Sequence, residues 1–486
     1  MTAINDSTYR QTKIIATLGP STSSKKSIEG LIDAGVDLIR LNFSHGDKES
    51  HIKRAKLVRE IADKKHYHIG IVGDLQGPKI RITRFINSKI DLKNGSKFTI
   101  DYNHPFDEGT EEVVGTTYKD LVGQLDTNDI LLLDDGRIEL KVEKISGSKI
   151  VSKVISGGLL YDSKGINKKG GGLSAAAISE KDHEDIKVAA EIGVDYLAVS
   201  FPREAKDIEM ARKLLNDAGN DGGIIAKIER AEALKNIDEI IEASNAIMIA
   251  RGDLGVEIGD AQLPAVQKNL IKKARKKDKV VITATQMMES MITNSIPTRA
   301  EVFDVANAVI DGTDAVMLSS ETAMGDHPVE AVEAMSRICE GSEGQNPLTM
   351  KGSNYSIENK KVDRAIAMAC MLTADNLNPT AIAAITESGS TALWMSRINH
   401  SVPIFALTTH TRTLRKVTLY RGVYPARIKT IDTNHETVNR DAINVLTNLN
   451  VAKDDDLVII TKGDLAGIEG GTNAIKVVRV GHLAEI

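Results

Sequence analysis

Three apolar runs between Ile224 and Met291 each end in residues suited to ionic chemistry. Ile224-Ile225-Ala226 leads to Lys227-Ile228-Glu229, Ile247-Met248-Ile249-Ala250 to Arg251-Gly252-Asp253, and Val280-Val281-Ile282 to Thr283-Ala284-Thr285-Gln286. An ammonium, two carboxylates and a hydroxyl thus stand at equivalent ends of successive strand-like segments. Glu229 and Asp253 are joined by no His or Cys, which suits a hard cation such as Mg²⁺ that keeps waters and takes substrate oxygens; zinc would want softer ligands. Lys227 and Arg40 are two cations facing that metal, an array that makes sense around a multiply charged anion, most simply a phosphate. Salt bridges from the two carboxylates to Lys227 and Arg251 are the plainer alternative. No Walker A pattern is present, so any nucleotide is held in another way. Gly252-Asp253-Leu254-Gly255 is a weak phosphate-loop signal, but its amides suit a carboxylate at a helix start.

These residues need a frame that brings strand ends together. Eight short runs rich in Ile, Val and Leu are present: Lys13–Leu18, Leu38–Phe43, Ile69–Gly73, Tyr196–Phe201, Ile224–Glu229, Ala246–Ala250, Val280–Ala284 and Ala315–Ser319. Most are followed by helical periodicity, as in Ser24–Ala34 and Ser179–Glu191, the second with Ser179, Glu180 and Asp182 at its start. Continuous apolar strands alternating with amphipathic helices predict an eight-stranded βα barrel, whose chemistry lies at the C-terminal strand ends. Thr17, Arg40, Asn42, Ser44, Asp74, Lys227, Glu229, Asp253 and Thr285 then share one mouth.

The spacing breaks once, between Pro78 and about Leu173, where short alternating strands (Lys97–Asp101, Ile130–Leu133, Ile138–Val142, Ile150–Ile155) predict a small β domain inserted in a barrel loop. After the Gly, Ser and Asn-rich stretch Gly344 to Tyr355 comes an open α/β region, with strands at Ala381–Ile385, Ile404–Leu407, Val423–Ile428, Leu457–Thr461 and Ile475–Val480. The predicted division is 1–77 and 174–345 for the barrel, 78–173 for the insert as a β lid, and 346–486 for the C-terminal α/β domain.

Composition excludes several classes. Basic residues number 62 and acidic residues 67, a formal net charge of -5, so no single-sign field argues for nucleic acid or an anionic membrane. Lys272-Lys273-Ala274-Arg275-Lys276-Lys277 is a solvated helix end. No run approaches the roughly 18 apolar residues of a membrane helix, and Met1 to Arg10 lacks a signal-peptide core, which predicts a cytoplasmic protein. Cys339 and Cys370 lack the spacing of zinc or redox motifs and are predicted to be buried thiols.

The chain resembles the pyruvate kinase family from end to end. The resemblance is carried by Thr12-Lys13-Ile14-Ile15-Ala16-Thr17-Leu18-Gly19-Pro20, Arg40-Leu41-Asn42-Phe43-Ser44-His45-Gly46, Gly73-Asp74-Leu75-Gln76-Gly77-Pro78-Lys79-Ile80-Arg81, Lys164-Gly165-Ile166-Asn167, the Lys227 to Met291 block and Pro297-Thr298-Arg299-Ala300-Glu301. The bacterial form regulated by sugar or nucleotide monophosphates, often called type II, is the most similar. The resemblance implies phosphoryl transfer from phosphoenolpyruvate to ADP in glycolysis, followed by protonation of the enolate. It implies that Lys227 and Arg40 act on the phosphoryl group and that Glu229 and Asp253 bind Mg²⁺, with Mn²⁺ as the alternative. Gly252 and Asp253 would border the substrate, and Thr285 would serve proton delivery. Thr17, Pro20, His45, Arg81 and Lys164 match nucleotide positions, and a homotetramer is implied.

Two departures matter. Many members bind K⁺ beside the phosphoryl site; here Asn42, Ser44 and Asp74 match, but Leu75 stands where a Thr is common and Lys79 where Glu is common. Leu cannot ligate a cation, and a tethered ammonium at about 4 Å from a carboxylate gains roughly 4 kcal/mol at an effective dielectric near 20. This predicts Lys79 in the pocket of Asn42, Ser44 and Asp74, and activity without K⁺; a surface lysine with K⁺ still bound is the plainer alternative. In the C-terminal domain Thr386-Glu387-Ser388-Gly389-Ser390-Thr391, before a helix predicted over Ala392–Asn399, is a candidate anion nest for a phosphorylated effector through Thr386, Ser388, Ser390 and Thr391. Capping and turn chemistry is its plainer reading. Two other function classes are a Mg²⁺-enolate carbon–carbon lyase or mutase on a similar barrel, which would not need Lys164 on a lid, and a non-catalytic metabolite sensor, which would not need Thr285.

Overall fold

Strands that are apolar on both faces need cover inside and out, and here they obtain it by closing on themselves beneath a ring of helices. The computed structural model describes residues 9–173, 175–343, 361–398, 400–429, 435–464 and 470–482. β1 (Lys13–Thr17), β2 (Leu38–Asn42), β3 (Gly70–Asp74), β4 (Tyr196–Val199), β5 (Gly223–Ile228), β6 (Ala246–Ala250), β7 (Val280–Ala284) and β8 (Ala315–Leu318) form a closed parallel barrel. Thr17 lies opposite Arg40, Asn42 opposite Asp74 and Ala250 opposite Ala284, so the polar strand ends are level around one mouth. The helices Lys25–Asp33 and Glu180–Ile192 start where the sequence predicts, with Ser24 and Ser179 each accepting a first-turn amide.

The insert between β3 and β4 has its own sheet and its own core. Lys97–Asp101, Ile130–Leu133, Ile138–Ser146 and Lys149–Ser156 lie in a six-stranded sheet over buried Phe98, Leu131, Leu140 and Ile150. The strand predicted over Ile138–Val142 continues to Ser146, because a register shift between Val142 and Lys144 carries the polar residues through the pairing. Its turn at Asp134, Asp135 and Gly136 has φ of 50, 56 and 85°, a left-handed run that Asp and Gly tolerate.

In the C-terminal domain β9 (Ala381–Ile385), β10 (Ile404–Thr408), β11 (Val423–Arg427), β12 (Leu457–Gly463) and β13 (Thr472–Arg479) run in the order β11-β10-β9-β12-β13. β13 is an antiparallel edge strand, and it starts three residues before the predicted Ile475 because backbone pairing with β12 holds its polar first residues. The predicted linker Gly344 to Tyr355 lies outside the described residues. The N-terminal end of the barrel packs on this domain: Ile15, Leu38, Val72 and Tyr196 share one apolar cluster with Ala367, Cys370, Met395 and Tyr420. Cys339 and Cys370 are free and buried, and burial pushes both thiols up to about 12. Among the described residues no helix is long and apolar enough to cross a membrane.

Candidate active site

The end of β5 delivers Lys227 into a buried ring of charge. Its Nζ lies 3.0 Å from Glu229 Oε1 and 3.2 Å from Asp74 Oδ1, and it donates to Ser200 Oγ at 2.6 Å. On the far side of Asp74, Arg40 Nε donates to Oδ2 at 2.6 Å, and Arg40 Nη1 reaches Thr17 Oγ1 at 3.1 Å. Burial opposes the charge of Lys227, but Asp74 and Glu229 outweigh it and hold its pKa above the ordinary value. Asp74 is likewise held below the ordinary carboxylate range, burial being overcome by Lys227 and Arg40. Glu229 moves the other way: burial, reinforced by Asp253 and Asp74, raises it despite Lys227.

Glu229 and Asp253 are therefore mutually repelling carboxylates on neighbouring strand ends. Oε2 of Glu229 is fixed by the Phe201 amide at 2.9 Å, at a residue with φ of 57°. Among the described residues no group of three or more His, Cys, Asp or Glu side chains forms a metal cage. Two hard carboxylates in repulsion fit Mg²⁺ or Mn²⁺, which take their remaining ligands from water and substrate oxygens. The alternative partner Arg251 is not at Asp253. It is 7% exposed and donates to Asp304 Oδ1 at 2.7 Å and to the carbonyl of Thr285 at 2.9 Å, which makes it a brace for the β7 loop.

Lys79 differs from its sequence-based placement with Asn42, Ser44 and Asp74. Its Nζ donates to Asp253 Oδ1 at 2.8 Å, and a side chain at Gly165 would meet its Cε at 3.1 Å. The physical reason is charge balance: Asp74 already has Arg40 and Lys227, whereas Asp253 lacks Arg251. Asn42 Oδ1 accepts instead from the Ser44 amide at 3.1 Å. Leu75 is buried, and its carbonyl accepts from Ser200 Oγ at 2.8 Å.

Thr285 sits just past β7 with φ of 67°, followed by Gln286 at 53°. Its hydroxyl donates to the Ala284 carbonyl at 2.6 Å and accepts from the Gly252 amide at 2.8 Å. The Gly252 amide, expected to meet a substrate carboxylate, is thus engaged with Thr285. Left-handed backbone at a non-glycine residue costs of order 1–3 kcal/mol and persists where the surroundings fix it. Here the Arg251 brace does so.

The candidate nucleotide residues fall in two groups. Burial, then Arg81 and Arg40, lower the pKa of His45, so the ring shares a region with these two cations, and Pro20 opens the short helix that follows β1. Arg81 Nη1 donates to the Ser163 carbonyl at 2.8 Å, which ties it to the segment carrying Lys164. Lys164 itself is held within the lid, 2.7 Å from Asp134 Oδ1. The lid exit is anchored by Glu257, whose backbone carbonyl accepts from Gly170 at 3.0 Å, while burial raises its carboxyl to about 7. In the C-terminal domain, Ser388 and Ser390 hydroxyls pair at 2.9 Å, Thr391 pairs with Thr472 at 2.8 Å, and Thr386 Oγ1 accepts from the Gly389 amide at 3.0 Å. The helix there begins at Ser390, two residues earlier than predicted, because Gly389 at φ 86° provides the entry.

Ser200 is the residue that the sequence reading passed over. It stands immediately after β4, the same strand-end position as the other polar residues of the mouth, but in sequence it lies inside the apolar run Tyr196–Phe201 instead of ending it.

Comparison with known proteins agrees with this geometry. Residues 9–332 match the family described as pyruvate kinase, barrel domain, and residues 364–478 match pyruvate kinase, alpha/beta domain. A protein of Buchnera aphidicola (subsp. Schizaphis graminum) named pyruvate kinase is 53% identical over 97% of this chain and 98% of its own length. Pyruvate kinase II of Salmonella typhimurium is 51% identical over 97% of this chain and 99% of its own, and the pyruvate kinase of Haemophilus influenzae 49% over 93% and 96%. With both domain families matched in order and such relatives spanning nearly the whole length, the chain belongs to the pyruvate kinase family of phosphotransferases.

Proposed function

We propose that the chain transfers the phosphoryl group of phosphoenolpyruvate to ADP, giving pyruvate and ATP. The observation that carries this reading is the buried ring Arg40–Asp74–Lys227–Glu229, with Asp74 2.6 Å from Arg40 and 3.2 Å from Lys227. In this reading Arg40 and Lys227 hold the phosphoryl oxygens and offset the charge that develops during transfer, so catalysis is mainly positioning and electrostatics. Asp74 and Ser200 keep both cations aimed at the mouth. Thr285, fixed by the Gly252 amide and the Ala284 carbonyl, moves a proton toward the substrate methylene carbon, with water. Thr17, Pro20, His45, Arg81 and Lys164 line the nucleotide side. Glu229 and Asp253 would hold Mg²⁺ or Mn²⁺, which when bound would supply positive charge to offset the negative charge developing on the substrate. Three carboxylates (Asp74, Glu229, Asp253) against three cations (Arg40, Lys227, Lys79) leave the mouth balanced, so a polyanionic substrate is best admitted together with a divalent cation.

The finer assignments belong to the same reading. Lys79 brings a tethered positive charge to the mouth and Leu75 offers no ligand, so turnover does not require K⁺. A phosphorylated effector binds at Thr386, Ser388, Ser390 and Thr391, the functional division is 1–77 with 174–345, 78–173 and 346–486, and the assembly is a cytoplasmic homotetramer. The test is pyruvate formation from phosphoenolpyruvate and Mg²⁺, with and without ADP, each in K⁺-free and K⁺-containing buffer. Turnover that needs ADP but not K⁺ is expected. Pyruvate formed without ADP overturns the kinase reading, and a strict K⁺ requirement overturns the role of Lys79.

A further inference from the structure

A cavity of about 780 Å³ lies between the barrel and the C-terminal domain, away from the mouth, and it is rich in positive charge. Its barrel wall is the end of the helix Lys48–Lys65 and the turn into β3, and its other wall includes Arg415, the end of β11 and the helix His435–Asn448. Arg59, Arg415, Arg427 and Lys429 line it, against the carboxylates of Asp63 and Asp441.

The cations are unequally compensated. Arg59 is paired, 2.7 Å from Asp195. Arg427 donates only to neutral acceptors, the Thr409 carbonyl at 3.0 Å and Thr411 Oγ1 at 2.7 Å. The half-buried guanidinium of Arg415 has no hydrogen-bond acceptor among the described residues, and burial followed by Arg59 pushes its pKa down. Burial, with Arg427 and Arg415, also pushes His68 down to about 4, so that ring stays neutral at physiological pH and adds no charge of its own. A half-buried guanidinium with no hydrogen-bond acceptor is an arrangement an oxyanion can complete, through paired N–H donors. Alongside the cations, Tyr67, Ile69, Val445 and Leu449 give the cavity an apolar side, and its volume is that of a small-metabolite pocket.

We infer that this interdomain cavity binds a phosphomonoester carrying a small ring or apolar body, with Arg415 and Arg427 on the phosphate, at a site separate from the loop Thr386–Thr391. The inference stands independently of the catalytic reading, because its readout is binding.

The experiment is isothermal titration of the full chain with inorganic phosphate, phenyl phosphate and phenol. Phenyl phosphate is expected to bind more tightly than either fragment. Arg415→Glu weakens its cavity component by at least about tenfold, as expected for replacing a charge-assisted donor by a like charge. Ser390→Glu, which places negative charge in the other candidate loop, leaves that component intact. Arg415→Gln gives the same loss without charge reversal, and it serves if the reversed charge prevents folding. Unchanged binding in both Arg415 variants, loss confined to Ser390→Glu, or phenol binding as tightly as phenyl phosphate would overturn the site.

Discussion

The barrel buries a lysine at each end, and the two are treated in opposite ways. Lys13, at the start of β1, is 1% exposed, with one carboxylate, Asp37, at 3.8 Å and the Tyr424 ring centroid at 4.2 Å. There burial wins over Asp37 and lowers its pKa to about 8. Lys227, at the end of β5, has two carboxylates within 3.2 Å, and its pKa is raised. The same side chain in the same barrel is close to losing its proton at one end and locked as a cation at the other. The difference teaches that the N-terminal end uses charge to join domains, whereas the mouth keeps charge ready for a ligand.

The largest effect should come from breaking the joining end. Asp314, fully buried, accepts from Arg397 Nη1 at 3.0 Å and from the Val281 amide at 2.9 Å, so barrel and C-terminal domain share one carboxylate. Arg397→Met leaves that carboxylate without its guanidinium, and removing one partner of a buried pair costs roughly 3–5 kcal/mol. Denaturant unfolding should register this loss, with kcat of the folded fraction little changed. The mouth should show the reverse pattern. Lys227→Met is expected to lower kcat by at least about 10²-fold, the worth of one transition-state donor at roughly 2.7–4 kcal/mol, with a smaller change in unfolding midpoint. Equal losses of turnover and stability in both variants would erase the distinction between the two ends.

A subtler test lies at Ser200, which links Lys227 to the Leu75 carbonyl with distances of 2.6 and 2.8 Å. Ser200→Ala removes the one neutral acceptor on the Lys227 ammonium among the described residues and is expected to lower kcat about tenfold, near the worth of one hydrogen bond to a charged group. KM for phosphoenolpyruvate should move less, because the ammonium remains present but less well aimed. Wild-type kcat would remove Ser200 from the positioning of Lys227.

What was legible in the sequence follows the same physics. The eight strands were readable because parallel strands buried on both faces become unbroken apolar runs, and Lys227, Glu229, Asp253 and Thr285 stood out as the polar residues that end them. Pairings across the chain were not readable. Lys79 and Asp253 are 174 positions apart, on segments that follow β3 and β6, and it takes the closed barrel to bring those strand ends to one mouth. Arg251 and Asp253 looked equivalent in sequence, yet one turns under the β7 loop to Asp304 while the other faces the mouth, a distinction set by the first turn of the helix Arg251–Ile258. The edge strand β13 was shortened in prediction because alternation on a half-exposed edge is a weaker signal than a buried run.

The smallest expected effect is also the one most specific to the comparison. Lys13 has a folded pKa of about 8 against an ordinary value of 10.5, so the unfolded chain binds the proton more tightly than the folded one. Below about pH 8 the folded state therefore carries the full cost of a buried cation, and stability should rise as pH increases from 8 toward 10.5. Lys13→Met keeps the length of the side chain and removes the charge. Asp37 is not stranded, because Arg10 remains at 2.9 Å and the Ile14 amide at 2.8 Å. The variant should thus be more stable at pH 7 by about 1 kcal/mol, a discounted part of the roughly 1.4 kcal/mol that accompanies each tenfold change in proton affinity, since the lost contact with the Tyr424 ring returns some of that cost. Its stability should also lack the wild-type rise above pH 8, measured as the difference between the two chains in urea unfolding at pH 7 and pH 10. A variant less stable at both pH values would mean that the Tyr424 and Asp37 contacts outweigh burial, and that the two ends of the barrel treat a buried lysine alike.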